Sequence, residues 1–243
     1  MGRVALLLFL FALTVELSLG ISHEIHLLRP RLGSGGHPAS GLSCPSWRLA
    51  VETNNIINWE TVPQACESYV GYYMLGHQYR QDSRAVVYEA IAYAESLKLD
   101  ETTLSNLPYF AENGFGAEVL NETSSNEWVK KAKAPALPES LKLYNKLVSL
   151  GIKVVFLTGR REDWRNVTAA NLKKVGYHTW EKLILRKSSD GSTALVYKSN
   201  QRKKVEESGY RIVGNMGDQW SDILGTNRGN RTFKLPNPMY YIA

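Results

Sequence analysis

Cysteine is scarce. Cys44 and Cys66 are the two in 243 residues, so one bridge is the maximum. That excludes a knottin-like disulfide scaffold. Nucleic-acid signatures are missing as well: no Lys/Arg run is interleaved with aromatic residues, and no groove-binding motif is found. The net charge of +6 then reads as a solvated basic surface that suits an anionic ligand. Internal repeats are absent. Charged residues make up 21% and hydrophobic residues 44%, which excludes a disordered chain and a collagen-like fibre. What remains is a globular chain, long enough for one domain with a full core.

One apolar run stands out. Arg3 precedes an almost unbroken stretch from Val4 to Val15, and Ser18-Leu19-Gly20 places small residues at a cleavage site after Gly20. This predicts a secretory signal peptide over residues 1–20. The run is shorter than the ~20 apolar residues of a spanning helix, and no later segment reaches that length. The expectation is a soluble chain of the secretory pathway without a membrane span. Residues 21–43 are rich in Gly, Ser and Pro and read as a flexible arm. The folded domain is expected over 44–243. Sequons at Asn121, Asn166 and Asn230 agree with that compartment. Cys44 and Cys66 are expected to pair there; the alternative is two buried thiols.

Helix and strand patterns alternate. Pro63 to Leu97 has apolar residues at spacings of three and four, with a break expected at Tyr79-Arg80-Gln81-Asp82 and Asp82 or Ser83 capping a second helix. Glu139 to Leu150 is helical, with Leu141, Tyr144, Leu147 and Val148 on one face. Gly151 ends it, and Ile152 to Leu157 is a buried strand. Asp163 to Val175 and Asn200 to Ser208 repeat the helix, Gly176 and Gly209 repeat the stop, and Trp180 to Leu185 and Tyr210 to Val213 repeat the strand. This is an α/β fold, a Rossmann-like parallel sheet covered on both faces, preceded by an N-terminal helical region. Ligands of such folds bind beyond the carboxyl ends of the strands.

Those ends carry the polar residues. Thr158-Gly159-Arg160 follows one strand; a hydroxyl and exposed backbone amides there can hold a phosphate oxygen, or simply make a turn. Asp218 and Asp222 follow another. They are oxygen donors for Mg²⁺, or a helix cap and a surface residue. Lys198 opens a helical stretch and can neutralise a phosphate, or lie on the surface. Asp100, in Asp100-Glu101-Thr102-Thr103, reads by itself as a helix cap.

Taken in order, these elements resemble the haloacid dehalogenase superfamily. More closely, they resemble its plant acid phosphatase and vegetative storage protein family, with class B-like acid phosphatases. The matching segments include DETTLSNLPYF at 100–110, LTGRRE at 157–162, GDQWSDILG at 217–225 and FKLPNPMYYI at 233–242. The resemblance runs from Cys44 to Ile242. It implies Mg²⁺-dependent hydrolysis of small phosphomonoesters through an aspartyl-phosphate, with inorganic phosphate as product. It makes Thr158, Gly159 and Lys198 phosphate binders and Asp218 and Asp222 metal-site residues. Asp100 becomes the acid/base and lends a backbone carbonyl to the metal. Residues from about 104 to 150 become the cap. The family also leaves a homodimer open, and a destination in the cell wall, extracellular space or vacuole.

One family element is absent. An apolar strand and Phe-Asp-x should precede Asp100, but the nucleophile position holds Lys98, and Ile91 to Leu97 continue a helix. A lysine cannot form an acyl phosphate, and its ammonium repels Mg²⁺. The first core strand thus reads as missing, leaving a mid-sheet slot between the strands that end at Thr158 and Asp218. Three readings follow. A segment is lacking from the sequence; the chain is a vegetative storage glycoprotein without catalysis; or the site has shifted, with Asp100 as nucleophile and Thr102 two residues on.

Overall fold

A computed structural model of the chain describes residues 6–12, 42–97, 107–119 and 121–242. Strand β1 is Leu6–Ala12. Helix α1, Cys44–Glu52, starts where the Ser43 side chain accepts a hydrogen bond from the Ser46 amide, with Pro45 in the first turn. A disulfide joins Cys44 to Cys66 and so ties α1 to the start of α2, Glu67–Leu75. Helix α3 is His77–Leu97. The break expected at Tyr79–Asp82 is corrected: it falls at Gly76, whose backbone is extended. Asp82 does not cap a helix. Its carboxylate accepts from Tyr73 Oη at 2.7 Å, Gln78 Nε2 at 2.6 Å and Arg48 Nη1 at 3.3 Å, which makes it a bond between the helices. Tyr79, Ser83, Val87, Ala90 and Ala94 form the buried stripe of α3.

Helix α4 is Leu107–Glu112. Helix α5, Glu122–Lys130, is capped by the Asn121 side chain, which accepts from Ser124 N at 3.1 Å. Helix α6, Pro138–Ser149, has proline in its first turn. Its predicted face is rotated in the structure. Ser140, Leu143, Tyr144 and Leu147 are buried, whereas Val148 is 40% exposed. α6 packs against both α3 and the next strand, and the first stripe points at both. Gly151, at φ +85°, turns the chain into β2, Lys153–Arg161.

Helix α7 is Arg165–Lys174 and β3 is Lys182–Arg186. Helix α8, Ala194–Glu207, begins six residues before the predicted start, because the Thr193 side chain caps it. Strand β4 is Tyr210–Gly217, α9 is Trp220–Ile223 and β5 is Arg231–Lys234. Among the described residues the strands form one sheet in the order β3-β2-β1-β4-β5, with every pair parallel. Both faces are covered. Val154 and Phe156 of β2 enter the larger core, while Val155 packs with Val205 and Ile212 on the other face.

The expectation of an unfilled mid-sheet slot is corrected. β1 lies between β2 and β4, with Leu8 opposite Lys153 and Ala12 opposite Leu157 on one side, and Leu6 opposite Tyr210 and Phe11 opposite Met216 on the other. This is the apolar segment expected to be a signal peptide. An apolar run bounded by charge serves either purpose, and a buried parallel strand demands the same composition. As expected, α3 runs on to Leu97 with no strand; Lys98, Asp100 and Thr102 lie outside the described residues, as does the arm over 21–41.

Candidate active site

The site is built where β2 and β4 end. Thr158 is buried, and its Oγ1 accepts from the Arg160 amide at 3.2 Å. That bond lies in the irregular last stretch of β2, where its register with β3 shifts between Leu157 and Arg161, and Gly159 is exposed there. A methyl group on Gly159 would meet nothing within 4 Å, so open space adjoins it. Arg160 stands in the wall of that space. Burial lowers its pKa to about 10, and it stays cationic at neutral pH.

The β4 side is tighter. Gly217 comes first, and its place is set by close approach: a Cβ there would sit 2.2 Å from Cβ of Asp222. This contact packs α9 onto the strand end. Asp218 and Asp222 are both buried. Asp222 Oδ2 accepts from the Gln219 amide at 2.9 Å, and its Oδ1 is ion-paired with Lys198 Nζ. Lys198 also reaches Ser221 Oγ at 3.3 Å. Asp218 Oδ2 accepts from Gln219 Nε2 at 3.1 Å, Tyr240 Oη at 2.8 Å and Asn237 Nδ2. Burial, with the nearby Asp222 carboxylate adding to it, pushes the Asp218 carboxyl above its ordinary range, although its hydrogen bonds favour the charged form.

A cavity of about 440 Å³ joins the two strand ends. Thr158, Gly159 and Arg160 line one side, and Lys198, Asp218 and Asp222 line another. Tyr109, Phe110, Trp128 and Tyr240 add aromatic walls. Phe110 and Tyr240 stack with centroids 4.8 Å apart. The helices at 107–130 therefore border the cavity, while α6 belongs to the sheet's covering layer.

The structure thus brings Thr158, Gly159, Lys198, Asp218 and Asp222 together. It also shows residues to which the sequence reading gave no role. Asn237 and Tyr240 lie on the C-terminal tail and hold Asp218. Their segment was visible as a family match, but no periodicity marks a tail residue as a site residue. Arg202 is fully buried; it donates to the carbonyls of Asp222 at 2.6 Å, Leu224 at 2.6 Å and Thr226 at 3.0 Å. It anchors the short α9 and with it Asp222. Its one sequence signal is its position four residues after Lys198 on the same helix face.

The Mg²⁺ donor set is incomplete among these residues. A hard cation needs several oxygen ligands. Here Oδ1 of Asp222 is paired with the Lys198 ammonium, and Oδ2 of Asp218 accepts three hydrogen bonds. Among the described residues no group of three or more His, Cys, Asp or Glu is placed to hold a metal. Asp218 and Asp222 by themselves do not complete a site for the ion.

Residues 31–243 match the family described as HAD superfamily, subfamily IIIB (Acid phosphatase). The chain belongs to this acid phosphatase family. It is 51% identical over 234 residues to the stem 28 kDa glycoprotein of Glycine max, covering 91% of this chain and 92% of the relative. It is 50% identical over 214 residues to acid phosphatase 1 of Solanum lycopersicum, covering 83% and 84%. Vegetative storage protein 2 of Arabidopsis thaliana is 42% identical over 214 residues, covering 82% of this chain and 80% of the relative. Among solved structures, the class C acid phosphatase from Bacillus anthracis superposes with a TM-score of 0.56 at 22% identity, over 73% of this chain and 86% of that one. This last likeness concerns the fold. Phosphatases of the superfamily generally use Mg²⁺, and the relatives include glycoproteins and storage proteins.

Proposed function

We propose that this chain is a secretory-pathway glycoprotein that retains the family's phosphate cavity and has lost fast hydrolysis. The observation that carries the reading is the pairing of Lys198 with Asp222. Lys198 lines the cavity, and its ammonium is already paired there with an internal carboxylate. On this reading Thr158 and the backbone at Gly159 hold phosphoryl oxygens, and Arg160 supplies positive charge from the wall. Asp218, held by Asn237 and Tyr240, has no free lone pair directed at an ester on Oδ2. The residue at the family's nucleophile position is Lys98, so a bound phosphomonoester meets no carboxylate from that position. Binding without an in-line nucleophile gives occupancy and not turnover.

Passage through the secretory pathway is supported by exposed Asn121, Asn166 and Asn230, each accessible to a glycan, and by the Cys44–Cys66 bridge. Among the described residues no helix is long and apolar enough to cross a membrane. The test is calorimetric titration with inorganic phosphate and with a small phosphomonoester. Saturable heat from both, abolished by Thr158→Val combined with Arg160→Gln, is expected. No heat from either would overturn the reading. A second reading, a storage glycoprotein with no ligand, draws on the stem glycoprotein and storage protein relatives, and it predicts that absence of heat.

A further inference from the structure

A second hollow, of about 350 Å³, opens beside the cavity where β3 ends. Gly159, Arg161, Arg186, Lys187, Ser188 and Asp190 line it. Gly159 and Arg186 also border the main cavity, so the two spaces adjoin. The strands explain the charge. β2 and β3 lose register after Leu157 and regain it at Arg161, which pairs with Arg186. Two guanidinium-bearing residues thus stand side by side on strands about 4.8 Å apart, and Lys187 follows. Like charges placed opposite each other repel.

Internal partners answer part of this charge. Arg161 pairs with Asp163 at 2.6 Å, where both side chains are more than half exposed, and such a pair is weak. Arg186 donates to the Ser192 carbonyl and lies over the Tyr197 ring, which fixes the direction of its guanidinium. Its Nε is buried and makes no hydrogen bond among the described residues. Asp190 stands 3.6 Å from Arg186, but its Oδ1 already accepts from the Ser192 amide at 3.0 Å and the Ser192 hydroxyl at 2.5 Å. The Asp190 amide donates to the Lys187 carbonyl at 3.0 Å, closing the turn that presents Lys187. Lys187 is exposed. The Glu162 carboxylate feels its charge, yet Glu162 is bonded to Arg165 at 2.5 and 2.9 Å.

We infer that this hollow is a second anion subsite, and that it selects small phosphomonoesters bearing a second phosphoryl group. The inference rests on the phosphate cavity proposed above. One phosphoryl group lies at Thr158 and Gly159; the other meets Arg161, Arg186 and Lys187. Guanidinium forks bind phosphoryl oxygens in pairs, and the ammonium adds a point charge. Gly159 to Arg161 spans about 7 Å along the strand, so a short carbon chain joins the two positions. It passes Gly159, beside which there is open space.

The test is calorimetric titration of the purified chain with 1,4-butanediol bisphosphate and with butyl phosphate, which has the same carbon chain and lacks the second phosphoryl group. The bisphosphate is expected to bind about tenfold or more tightly. In the double variant Arg161→Gln with Lys187→Gln, that preference is expected to fall to about twofold or less. Both side chains are exposed, so the substitutions leave the core untouched. Lys173→Gln with Lys174→Gln, in the last turn of α7, removes the same charge away from the hollow and should keep the preference. A loss there as large as in the first variant means attraction by the basic surface at large and overturns the inference. So does a preference that survives Arg161→Gln with Lys187→Gln. Equal affinities for the two ligands in the unmodified chain overturn this inference alone, and absence of binding by both overturns the phosphate cavity as well.

Discussion

β2 and β4 end at one cavity but offer it different things. At the β2 end, Thr158 makes a single backbone bond and open space adjoins Gly159. At the β4 end, Asp222 is ion-paired, Asp218 takes three donors, and Gly217 is in contact with the carboxylate behind it. One end is available to a ligand and the other is satisfied by the protein. A buried carboxylate without a cation is costly, and Lys198 meets that need from within.

The largest test of this contrast changes what stands between the two ends. Inserting an apolar strand followed by Phe-Asp-x ahead of Asp100 restores the family order. Hydrolysis of p-nitrophenyl phosphate with Mg²⁺ is expected to rise by about a thousandfold or more over the unmodified chain. Next comes Lys198→Met, which leaves Asp222 buried and unpaired. It is expected to cost about 3–5 kcal/mol in denaturant unfolding, and Asp222→Asn in the same chain recovers most of it. Gly217→Ala forces a methyl against Asp222 and is expected to cost about 1–3 kcal/mol or more. Thr158→Val acts on the open end: phosphate should no longer raise the melting temperature, while stability without phosphate shifts by under about 1.5 kcal/mol.

The smallest expected effect lies outside the site. Glu181 accepts from Tyr210 and pairs with Lys153 at 3.1 Å. These partners, Tyr210 first, hold its carboxyl below the ordinary value of 4.5. Its stabilisation is present above that pH and lost as the pH falls through the lowered folded-state value. Glu181→Gln should cost under about 1 kcal/mol at pH 7 and nothing at pH 2, measured by urea unfolding.

Much of the layout was legible in the residues. Gly151, Gly176 and Gly209 punctuate helix and strand, and apolar runs such as Val154–Leu157 need two covered faces. Asp218, Asp222, Lys198 and Thr158 were legible as an ordered set, each ambiguous alone. The break at Gly76 was missed because Asp82 resembles a cap, while its partners Tyr73 and Arg48 come from other helices. Tyr240 and Asn237 act through tertiary contact, which no local pattern records. β1 was not read as a strand for a different reason. Periodicity does not separate a leader from a central parallel strand, because an apolar run suits both.

The central claim is occupancy without turnover, and the most direct measurement is phosphate release from p-nitrophenyl phosphate by the purified chain at pH 4–6 with Mg²⁺ present. Release indistinguishable from the enzyme-free blank, at a substrate concentration that calorimetry shows to be saturating, is the predicted result. Steady turnover that scales with protein concentration and disappears in Asp218→Asn would contradict it.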